Sequence, residues 1–261
     1  MTDVLAISLQ SMQQDMARLE RISMNMANAT TPGYKREVVA ALPSNAAAFS
    51  DAMLGTGLSA HADALDPRAA GVAGMLLIQT DARPGTLKST GQNLDVALAT
   101  PGFFEISTEA GLAYTRQGSW QLDARGRLVT AQGHPVMGTG GEIVLSRSNP
   151  VIDAAGRVFE SRPGGGTEST PVALLKVVQF DNTRDFRRMG EGLLGTDQVP
   201  SQLGESDVQL RQGFLENSNV SSMQEMVQLI QSMRHFESMQ RVAVGYDEMI
   251  GGAVRRLGDL S

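Results

Sequence analysis

The N-terminal segment carries an apolar stripe with the spacing of an amphipathic helix. No glycine or proline interrupts the chain from Thr2 to Asn28, and apolar residues recur at steps of three and four, which favours one helical face. The sequence Thr30-Thr31-Pro32-Gly33 predicts the helix end, because a residue before proline avoids the α conformation and Pro-Gly suits a type II turn. The stripe consists of Leu5, Leu9, Met12, Met16, Leu19 and Met26.

The C-terminal segment repeats this pattern. Ser222 and Glu225 have the spacing of a capping box, in which a hydroxyl and a carboxylate satisfy the first free amides of a helix. Apolar residues then recur at steps of three and four and predict a second long helix, and Gly251-Gly252 is predicted to end it. Its stripe consists of Met226, Ile230, Met233, Phe236, Met239 and Val242.

The central part of the chain is typical of antiparallel β structure. Short apolar runs alternate with glycine-bearing turns at a spacing of about ten residues, as in compact all-β domains. The predicted strands are residues 102–106, 112–116, 119–122, 127–130, 134–137 and 172–180.

We therefore predict an α+β fold. Long N- and C-terminal amphipathic helices are expected to pair as a coiled-coil-like domain, with a mainly antiparallel β domain inserted between them. The predicted boundaries are residues 1–36 and 213–261 for the helical assembly domain, 81–195 for the β domain, and 37–80 and 196–212 for extended connectors.

Each predicted helix also carries apolar residues outside its stripe. Two helices can bury one seam against each other, but a helix that is apolar on several sides requires several neighbours. The pattern therefore predicts assembly with other subunits and makes the two stripes the candidate interface. The additional apolar residues are Ile7, Ile22 and Met24 in the first helix and Val227, Leu229 and Ile250 in the second.

Composition narrows the classes of function. The chain has 261 residues, of which 41% are hydrophobic and 19% charged, and this balance is typical of folded proteins. A net charge of −6 without a basic cluster argues against a nucleic-acid partner. The absence of cysteine removes disulfides, thiolate nucleophiles and zinc–thiolate sites.

The apolar pattern also bears on membranes and export. Polar residues such as Ser8, Gln10 and Asp15 interrupt the N-terminal apolar residues, so we expect no secretory signal peptide there. No apolar run approaches the roughly 20 residues that a membrane helix requires, so we expect no membrane insertion.

No residue pattern predicts catalysis, and we expect no catalytic residue, cofactor or metal site. His61, His134 and His235 lack metal-ligand spacing and are interpreted as surface or interface residues. Gly164-Gly165-Gly166-Thr167 lacks the lysine of a phosphate-binding loop and is interpreted as a flexible loop. The 14 methionines fit either core filling or adaptable contacts between subunits.

Three segments resemble signatures of one known family. Residues 25–36 are similar to the N-terminal signature of flagellar rod, hook and hook-associated proteins, residues 91–104 to the family's central motif, and residues 213–220 to its C-terminal signature. The three matches follow the family's order. The matching residues are Asn25, Asn28, Pro32, Gly33, Tyr34, Asn93, Leu94, Asp95, Gly102, Phe103, Phe104, Asn217, Ser218 and Asn219.

The resemblance implies a structural subunit of the bacterial flagellar basal-body rod. Residues 140–143 and 234–240 look like the proximal-rod member, and the distal-rod member is the alternative. The resemblance further implies export by the flagellar type III apparatus without a cleaved signal peptide, and a location in the periplasmic space. The implied partners are other axial subunits and further copies of this chain, in a heterologous helical assembly that carries torque from motor to hook.

Two functions of other classes are weighed against this one. A periplasmic wall-active enzyme would require two carboxyl groups at a defined separation, one with a raised pKa, and the sequence singles out no such pair. A monomeric β-domain binding protein would have ordered, protease-resistant helices in dilute solution. Cell-wall hydrolysis and limited proteolysis distinguish these two alternatives from a rod subunit.

Overall fold

The computed structural model describes residues 3–41, 76–146, 149–161, 170–183 and 186–258. Two long helices occupy the two ends of this part of the chain. Both helices were predicted, but the predicted end of the second is wrong, because that helix continues through Gly251-Gly252 for another turn and a half. The helices are α1 (Asp3–Ala27) and α2 (Ser222–Gly258).

Short β-strands form the rest of the described structure, and the pairings that join the strands from residue 87 onward are antiparallel. The prediction of an α+β protein with mainly antiparallel strands is confirmed. The strands are β1 (Glu37–Ala41), β2 (Leu76–Thr80), β3 (Leu87–Ser89), β4 (Val96–Leu98), β5 (Phe103–Thr108), β6 (Gly111–Thr115), β7 (Trp120–Leu122), β8 (Leu128–Thr130), β9 (Met137–Gly138), β10 (Gly141–Glu142), β11 (Pro150–Ile152), β12 (Arg157–Glu160), β13 (Ala173–Leu174), β14 (Val177–Gln179), β15 (Arg187–Gly190), β16 (Leu193–Gly195), β17 (Ser201–Gln202), β18 (Leu210–Gln212) and β19 (Phe214–Glu216).

The chain folds into two compact units. The helical unit comprises the described parts of residues 1–26, 37–79 and 222–261, and the β unit comprises those of residues 27–36 and 80–221. In the helical unit, β1 and β2 pair as a two-stranded sheet. Most of the connector predicted between these two strands lies outside the described residues.

A six-stranded sheet organises the β unit, with the strand order β15-β16-β6-β5-β14-β17. Its centre is the hairpin of β5 and β6, in which Phe104 pairs with Thr115 and Thr108 with Gly111. Successive side chains of a strand point to opposite faces. Phe104 and Ile106 therefore enter the main core, while Phe103 packs with Phe180 and Phe186 in a smaller aromatic cluster on the other face.

Two hairpins of the β unit share one turn. The β7–β8 hairpin turns at Asp123-Ala124-Arg125-Gly126-Arg127, and the β11–β12 hairpin turns at Asp153-Ala154-Ala155-Gly156-Arg157. In each turn the aspartate Oδ1 accepts two backbone N–H groups and its Oδ2 accepts the arginine Nε–H, at 2.7–3.0 Å. The glycine has a positive φ in both turns. The same local sequence thus builds the same turn 30 residues later.

Residues 196–212, which we predicted as an extended connector, lie within the β unit. Strand β17 pairs with β14, and β18 pairs with β4. Val208 and Leu210 are buried in the main core. These alternating apolar positions give the segment an inward face, and that burial explains its ordered path.

The predicted strands differ from the observed ones mainly where a proline or a bend interrupts the pairing. The strand predicted over residues 134–137 is reduced to isolated bridges at Pro135 and Val136 before β9 begins. The strand predicted over residues 172–180 is divided into β13 and β14. Leu175 between them is bridged to Gly138 and belongs to the main core.

Candidate functional site

The helix α1 buries a seam that differs from its predicted apolar stripe. The buried residues are Ser8, Asp15, Ile22 and Asn25, at steps of seven, seven and three. Heptad steps keep these side chains on one face of the helix. Three of the four are polar, so the buried seam of α1 is specified largely by hydrogen bonds.

The predicted stripe of α1 lies beside this seam and is largely accessible. Leu5, Leu9 and Met16 are exposed by 39–60%. Met12, Leu19 and Met26 are half-buried. The stripe is therefore an apolar surface that the described residues of the helical unit cover only in part.

The helix α2 has the same division into a covered and an open face. Half-buried residues recur at steps of three and four from the buried Glu225 onward. The predicted stripe residues Phe236 and Met239 belong to this covered row, whereas the other four are exposed by 46–53%. The covered row consists of Glu225, Leu229, Ser232, Phe236, Met239, Ala243 and Tyr246, and the exposed stripe of Met226, Ile230, Met233 and Val242.

Polar contacts join the two helices in antiparallel register. The Asp15 Oδ2 and His235 Nδ1 atoms lie 2.5 Å apart, and the Asn25 Nδ2 donates to Glu225 Oε2 at 3.3 Å. The residue numbers of each pair add to the same sum, as antiparallel helices require. Asp15 and Glu225 are buried, so a shift in register would leave a carboxylate without its partner.

Asn25 also fixes the start of β1. Its Nδ2 donates to the Glu37 carbonyl at 2.8 Å, and its Oδ1 accepts the Glu37 N–H at 3.0 Å. The carboxamide thus pairs with a strand residue in the way that another strand would. Arg21 adds an ion pair of 3.2 Å to the Glu37 carboxylate. Asn25 therefore has a structural role that its position near a helix end did not reveal.

In the β unit, a fully buried ionic cluster joins the three signature segments. The Glu216 carboxylate on β19 contacts Lys35 Nζ at 2.5 Å and Arg116 Nε at 2.8 Å. Lys35 and Glu216 are also among the largest side chains that solvent does not reach. Lys35 donates to the Arg83 carbonyl, and Arg116 donates through Nη1 to the carbonyls of Thr100 and Gly102, all at 2.8 Å.

Two cations and one carboxylate share this cluster. Burial lowers the pKa of Lys35, although the neighbouring Glu216 opposes this effect, and burial also lowers the pKa of Arg116. Removing ions from water is costly unless they are paired and hydrogen-bonded. Glu216 supplies the counter charge for both cations and accepts the Gly85 N–H at 2.7 Å. It is therefore the central residue of the cluster.

Backbone and ring contacts also hold the segment around Gly33 and Tyr34 next to this cluster. The Gly33 N–H donates to the Glu216 carbonyl at 2.7 Å. Gly33 has a φ of +70°, and a Cβ atom there would lie 2.5 Å from the Gln117 N atom, so only glycine fits. The adjacent Tyr34 ring is buried and lies 4.1 Å below the Arg188 guanidinium, a cation–π contact.

The asparagines of the C-terminal signature bind backbone. Asn219 accepts the Arg36 N–H through Oδ1 at 2.7 Å and donates through Nδ2 to the carbonyls of Asp81 and Arg83. Asn217 donates to Thr86 Oγ1 at 3.0 Å, and Ser218 Oγ accepts the Val220 N–H. Asn217 and Asn219 thus hold the end of the strand β19 against the segment that precedes β3.

The remaining signature residues lie elsewhere in the β unit. Leu94 packs on the main core and Asp95 is buried with its carbonyl accepting the Gly213 N–H. Phe104 contacts Trp120 in the main core, with ring centroids 4.8 Å apart. Asn93 is exposed, Pro32 and Asn28 are half-buried, and Asn28 accepts a bond from Thr31. Gly102 has a φ of +144° and lies close to Val177.

Sequence reasoning missed Lys35, Arg116 and Glu216 as a group. Lys35 and Glu216 lie inside the signature segments 25–36 and 213–220, and Arg116 lies on the predicted strand 112–116. Charged residues are normally exposed, however, and nothing local shows that Lys35 and Glu216, 181 residues apart, meet. The available signal was the position of Arg116 two residues after Tyr114 on the predicted strand 112–116, which places both side chains on one face of that strand.

Among the described residues, no group of three or more His, Asp or Glu side chains is arranged to hold a metal ion. His134 lies 3.5 Å from Glu191, both partly exposed. Across the described part of the chain, no helix combines the length and apolar character needed to cross a bilayer.

Two family models match parts of the chain that include the C-terminal signature segment and most of the central one. A family model described as flagellar basal body rod FlgEFG protein C-terminal matches residues 211–256, and a model described as flagellar hook protein FlgE/F/G D1 domain matches residues 97–159. The first match covers Glu216, Asn217 and most of α2, and the second covers Arg116 and the centre of the six-stranded sheet.

Similar proteins match over nearly the whole chain. The chain is 31% identical to a flagellar basal-body rod protein FlgG of Agrobacterium fabrum, over 94% of this chain and 95% of that protein. It is 29% identical to FlgG of Buchnera aphidicola, over 94% and 96% of the two chains. It is also 29% identical to a flagellar basal-body rod protein FlgF of Mesorhizobium japonicum, over the full length of both chains.

Proposed function

The chain belongs to the flagellar basal-body rod protein family, and from this membership we propose that it is the proximal-rod subunit, joined to its neighbours through the open faces of α1 and α2. It is a structural protein of the rod and not an enzyme. Its membership implies assembly with other axial subunits of the flagellum, within the basal body.

The division of α2 into two faces is the observation that carries the proposed interface. One heptad-spaced row is half-buried, whereas Met226, Ile230 and Met233 remain half exposed on a helix of 37 residues. Completing the burial of such side chains would contribute on the order of 1 kcal/mol each, from the apolar area removed from water. A long helix with several such residues has enough apolar area for neighbouring subunits to cover.

The polar seam supports a coiled-coil-like pairing of α1 and α2 as the unit that assembles. Buried polar pairs in helical interfaces select one register at some cost in stability. Asp15 with His235 and Asn25 with Glu225 would play this role. A fixed register would present Ile230 and Leu9 to neighbouring subunits at constant positions.

The contact between subunits would be heterologous. One face of each subunit would meet a different face of the next, which generates an open helical array instead of a closed ring. Exposed apolar residues on both α1 and α2 provide two distinct faces for such a contact. The array would form the axis that carries torque from the motor to the hook.

The choice of the proximal rod rests on residues 140–143 and 234–240, which look like the proximal-rod member of the family. The distal rod is the second candidate, because relatives named FlgG and FlgF match this chain at similar identity. We further propose export by the flagellar type III apparatus without a cleaved signal peptide, and residence in the periplasmic space.

A labelling experiment tests the proposal. The gene is deleted from the host and replaced by a copy with an epitope tag in the β unit, at the exposed turn Glu109-Ala110. Isolated basal bodies are then decorated with gold-labelled antibody. Label at the motor end of the rod supports the proximal assignment, label at the hook end supports the distal one, and basal bodies without the chain contradict a rod role.

The same preparation tests export. N-terminal sequencing of the chain recovered from basal bodies should begin at Met1 or Thr2. A shortened N-terminus would show cleavage of a leader and contradict the proposed route.

A further inference from the structure

The methionines of α2 lie on both faces of the helix. Met239 belongs to the covered row and is half-buried, whereas Met223, Met226 and Met233 are exposed by 78%, 53% and 51%. A methionine that fills a gap in a core has its sulfur enclosed by neighbouring side chains. Core filling therefore fits Met239 but does not explain these three exposed residues.

The three exposed methionines lie in one line with Ile230, which is also half exposed. The steps between the four residues are three, four and three, so their side chains project from one side of α2 over a length of about 15 Å. We call Met223, Met226, Ile230 and Met233 the thioether row. Three of its four side chains carry a sulfur atom in place of a methylene group.

Sulfur gives the thioether row a reactivity that an aliphatic row lacks. A peroxide transfers one oxygen atom to a thioether: the O–O bond breaks, an S–O bond forms, the sulfur loses two electrons and the peroxide is reduced to an alcohol or to water. The chain has no cysteine, so none of its own thiols competes for the peroxide. The thioethers that solvent reaches are therefore the groups of this chain that a peroxide oxidises first.

Oxidation reverses the polarity of the row. The thioether is apolar, whereas the sulfoxide is polar and its oxygen accepts hydrogen bonds. When a neighbouring subunit covers α2, that oxygen would leave water, and burying an acceptor without a donor costs free energy. Ile230, between Met226 and Met233, has no donor in its side chain to satisfy it. A sulfoxide in the row would therefore oppose docking.

We propose that Met223, Met226 and Met233 are an oxidation site that controls the entry of the free chain into the rod. A peroxide reaches their sulfur atoms before assembly, and the sulfoxides then prevent a neighbouring subunit from covering α2. Two thiols of a methionine sulfoxide reductase reverse the change: they become a disulfide, and the oxygen leaves as water. This inference rests on the proposed function, because the neighbouring subunits of the rod are what enclose the row.

Oxidation rates in two states of the chain test the enclosure of the row. The purified chain and isolated basal bodies are treated with hydrogen peroxide, and tandem mass spectrometry follows each methionine. In the free chain, Met226 and Met233 should oxidise faster than the half-buried Met239. In basal bodies they should oxidise roughly tenfold more slowly than in the free chain, because the peroxide must reach the sulfur. Met189 on β15 is 43% exposed, lies outside the proposed interface and should oxidise at one rate in both states.

A matched pair of variants tests the effect of a polar side chain in the row. Met233→Leu keeps an apolar side chain of similar volume, and Met233→Gln places a polar amide where the sulfoxide would be. Met233→Leu should enter basal bodies as the unmodified chain does, and Met233→Gln roughly tenfold less, because its amide is left without partners. Met189→Gln is the control and should enter normally. Unfolding curves of the purified Met233 variants should coincide, because this residue is half exposed in the free chain.

A triple variant with leucine at all three methionines of the row tests the role of sulfur itself. Cells without methionine sulfoxide reductases produce this variant and the unmodified chain together, so that any damage to other rod components affects both chains alike. Hydrogen peroxide present during rod assembly should shift the ratio of the two chains in basal bodies roughly tenfold toward the triple variant. A ratio that peroxide does not change would overturn the proposal. The triple variant is Met223→Leu, Met226→Leu and Met233→Leu.

The two proposals fail in distinguishable ways. If the unmodified chain is missing from the basal bodies of untreated cells, the proposed function fails and this inference fails with it. If the chain is present but Met226 and Met233 oxidise there as fast as in the free chain, the rod assignment stands and the oxidation-site proposal is overturned. Equal incorporation of Met233→Gln and Met233→Leu would also overturn it.

Discussion

The Lys35 Nζ and Glu216 Oε1 atoms lie 2.5 Å apart although 181 residues separate them in the chain. Both side chains are buried, and Glu216 also pairs with Arg116. The contact joins the segment that follows α1 to the segment that precedes α2. The β unit is therefore closed by residues from both ends of the chain, and its stability depends on their meeting.

Glu216→Gln should destabilise the β unit strongly. The variant leaves Lys35 and Arg116 buried without a counter charge, which typically costs about 3–5 kcal/mol in the free energy of unfolding. Denaturant unfolding followed by Trp120 fluorescence measures this change. The control is Asp197→Asn, which breaks the exposed ion pair with Arg187 and should cost less than about 1 kcal/mol. Equal effects of the two variants would contradict the central role of Glu216.

Gly33→Ala should be more damaging than Gly91→Ala. Both glycines have a φ of +70°, so alanine meets the same backbone strain, about 1–2 kcal/mol, at each position. A Cβ at position 33 would also lie 2.5 Å from Gln117 N, whereas position 91 is open. We expect an additional loss of about 1–3 kcal/mol for Gly33→Ala from this overlap. The comparison separates close packing from backbone conformation in the same unfolding assay.

Ile230→Asp should block rod assembly without unfolding the chain. Ile230 is half exposed, so the monomer should change in unfolding free energy by no more than about 0.5 kcal/mol. Burying an unpaired carboxylate against a neighbouring subunit is unfavourable. Motility and recovery of the chain in basal bodies provide the measurement. Gln231→Asp, the adjacent exposed position, is the control and should assemble normally. Normal rods with Ile230→Asp would exclude this face as an interface.

Asp123 should make the free energy of unfolding depend on pH. Its hydrogen bond with Arg127 lowers the pKa of this carboxyl below its ordinary value of 3.8. Because the folded pKa is the lower one, the stabilisation is complete above pH 3.8 and is lost as pH falls through the folded pKa. The stability difference between the unmodified chain and Asp123→Asn should therefore shrink as pH falls from about 5 to 2. The control, Glu109→Gln, removes an exposed carboxylate for which the described residues supply no partner. A difference that stays constant for Asp123→Asn would contradict the role of this pair.

The periodicity of the sequence predicted both helices but did not show which face is covered. Apolar spacing correctly placed Leu5, Leu9 and Met16 on one side of α1, yet that side is the open one. The covered side contains Ser8 and Asp15, residue types that are usually exposed. Only their distant partners make burial favourable, and periodicity contains no information on distant partners.

The turn at Asp123, in contrast, could be predicted, because the residues that form it are adjacent in the sequence. The Asp123–Arg127 turn depends on five consecutive residues, so its hairpin was predicted from local sequence. The path of residues 196–212 depends on pairing with strands about 25 and 115 residues earlier, at β14 and β4. No local pattern specifies those partners, and the segment was interpreted as a connector.

Under the export route proposed above, the buried contact between Lys35 and Glu216 would also impose an order of events on folding. Whichever of Lys35 and Glu216 emerges first cannot form the ion pair at once, because its partner lies near the opposite end of the sequence of the β unit. Until both residues are present, the charged side chain that has emerged stays hydrated, because burying it without a counter charge is unfavourable. The β unit would thus complete its folding only when nearly all of its own sequence has left the channel. Export would in this way delay folding and keep the chain in the unfolded form that a narrow channel admits.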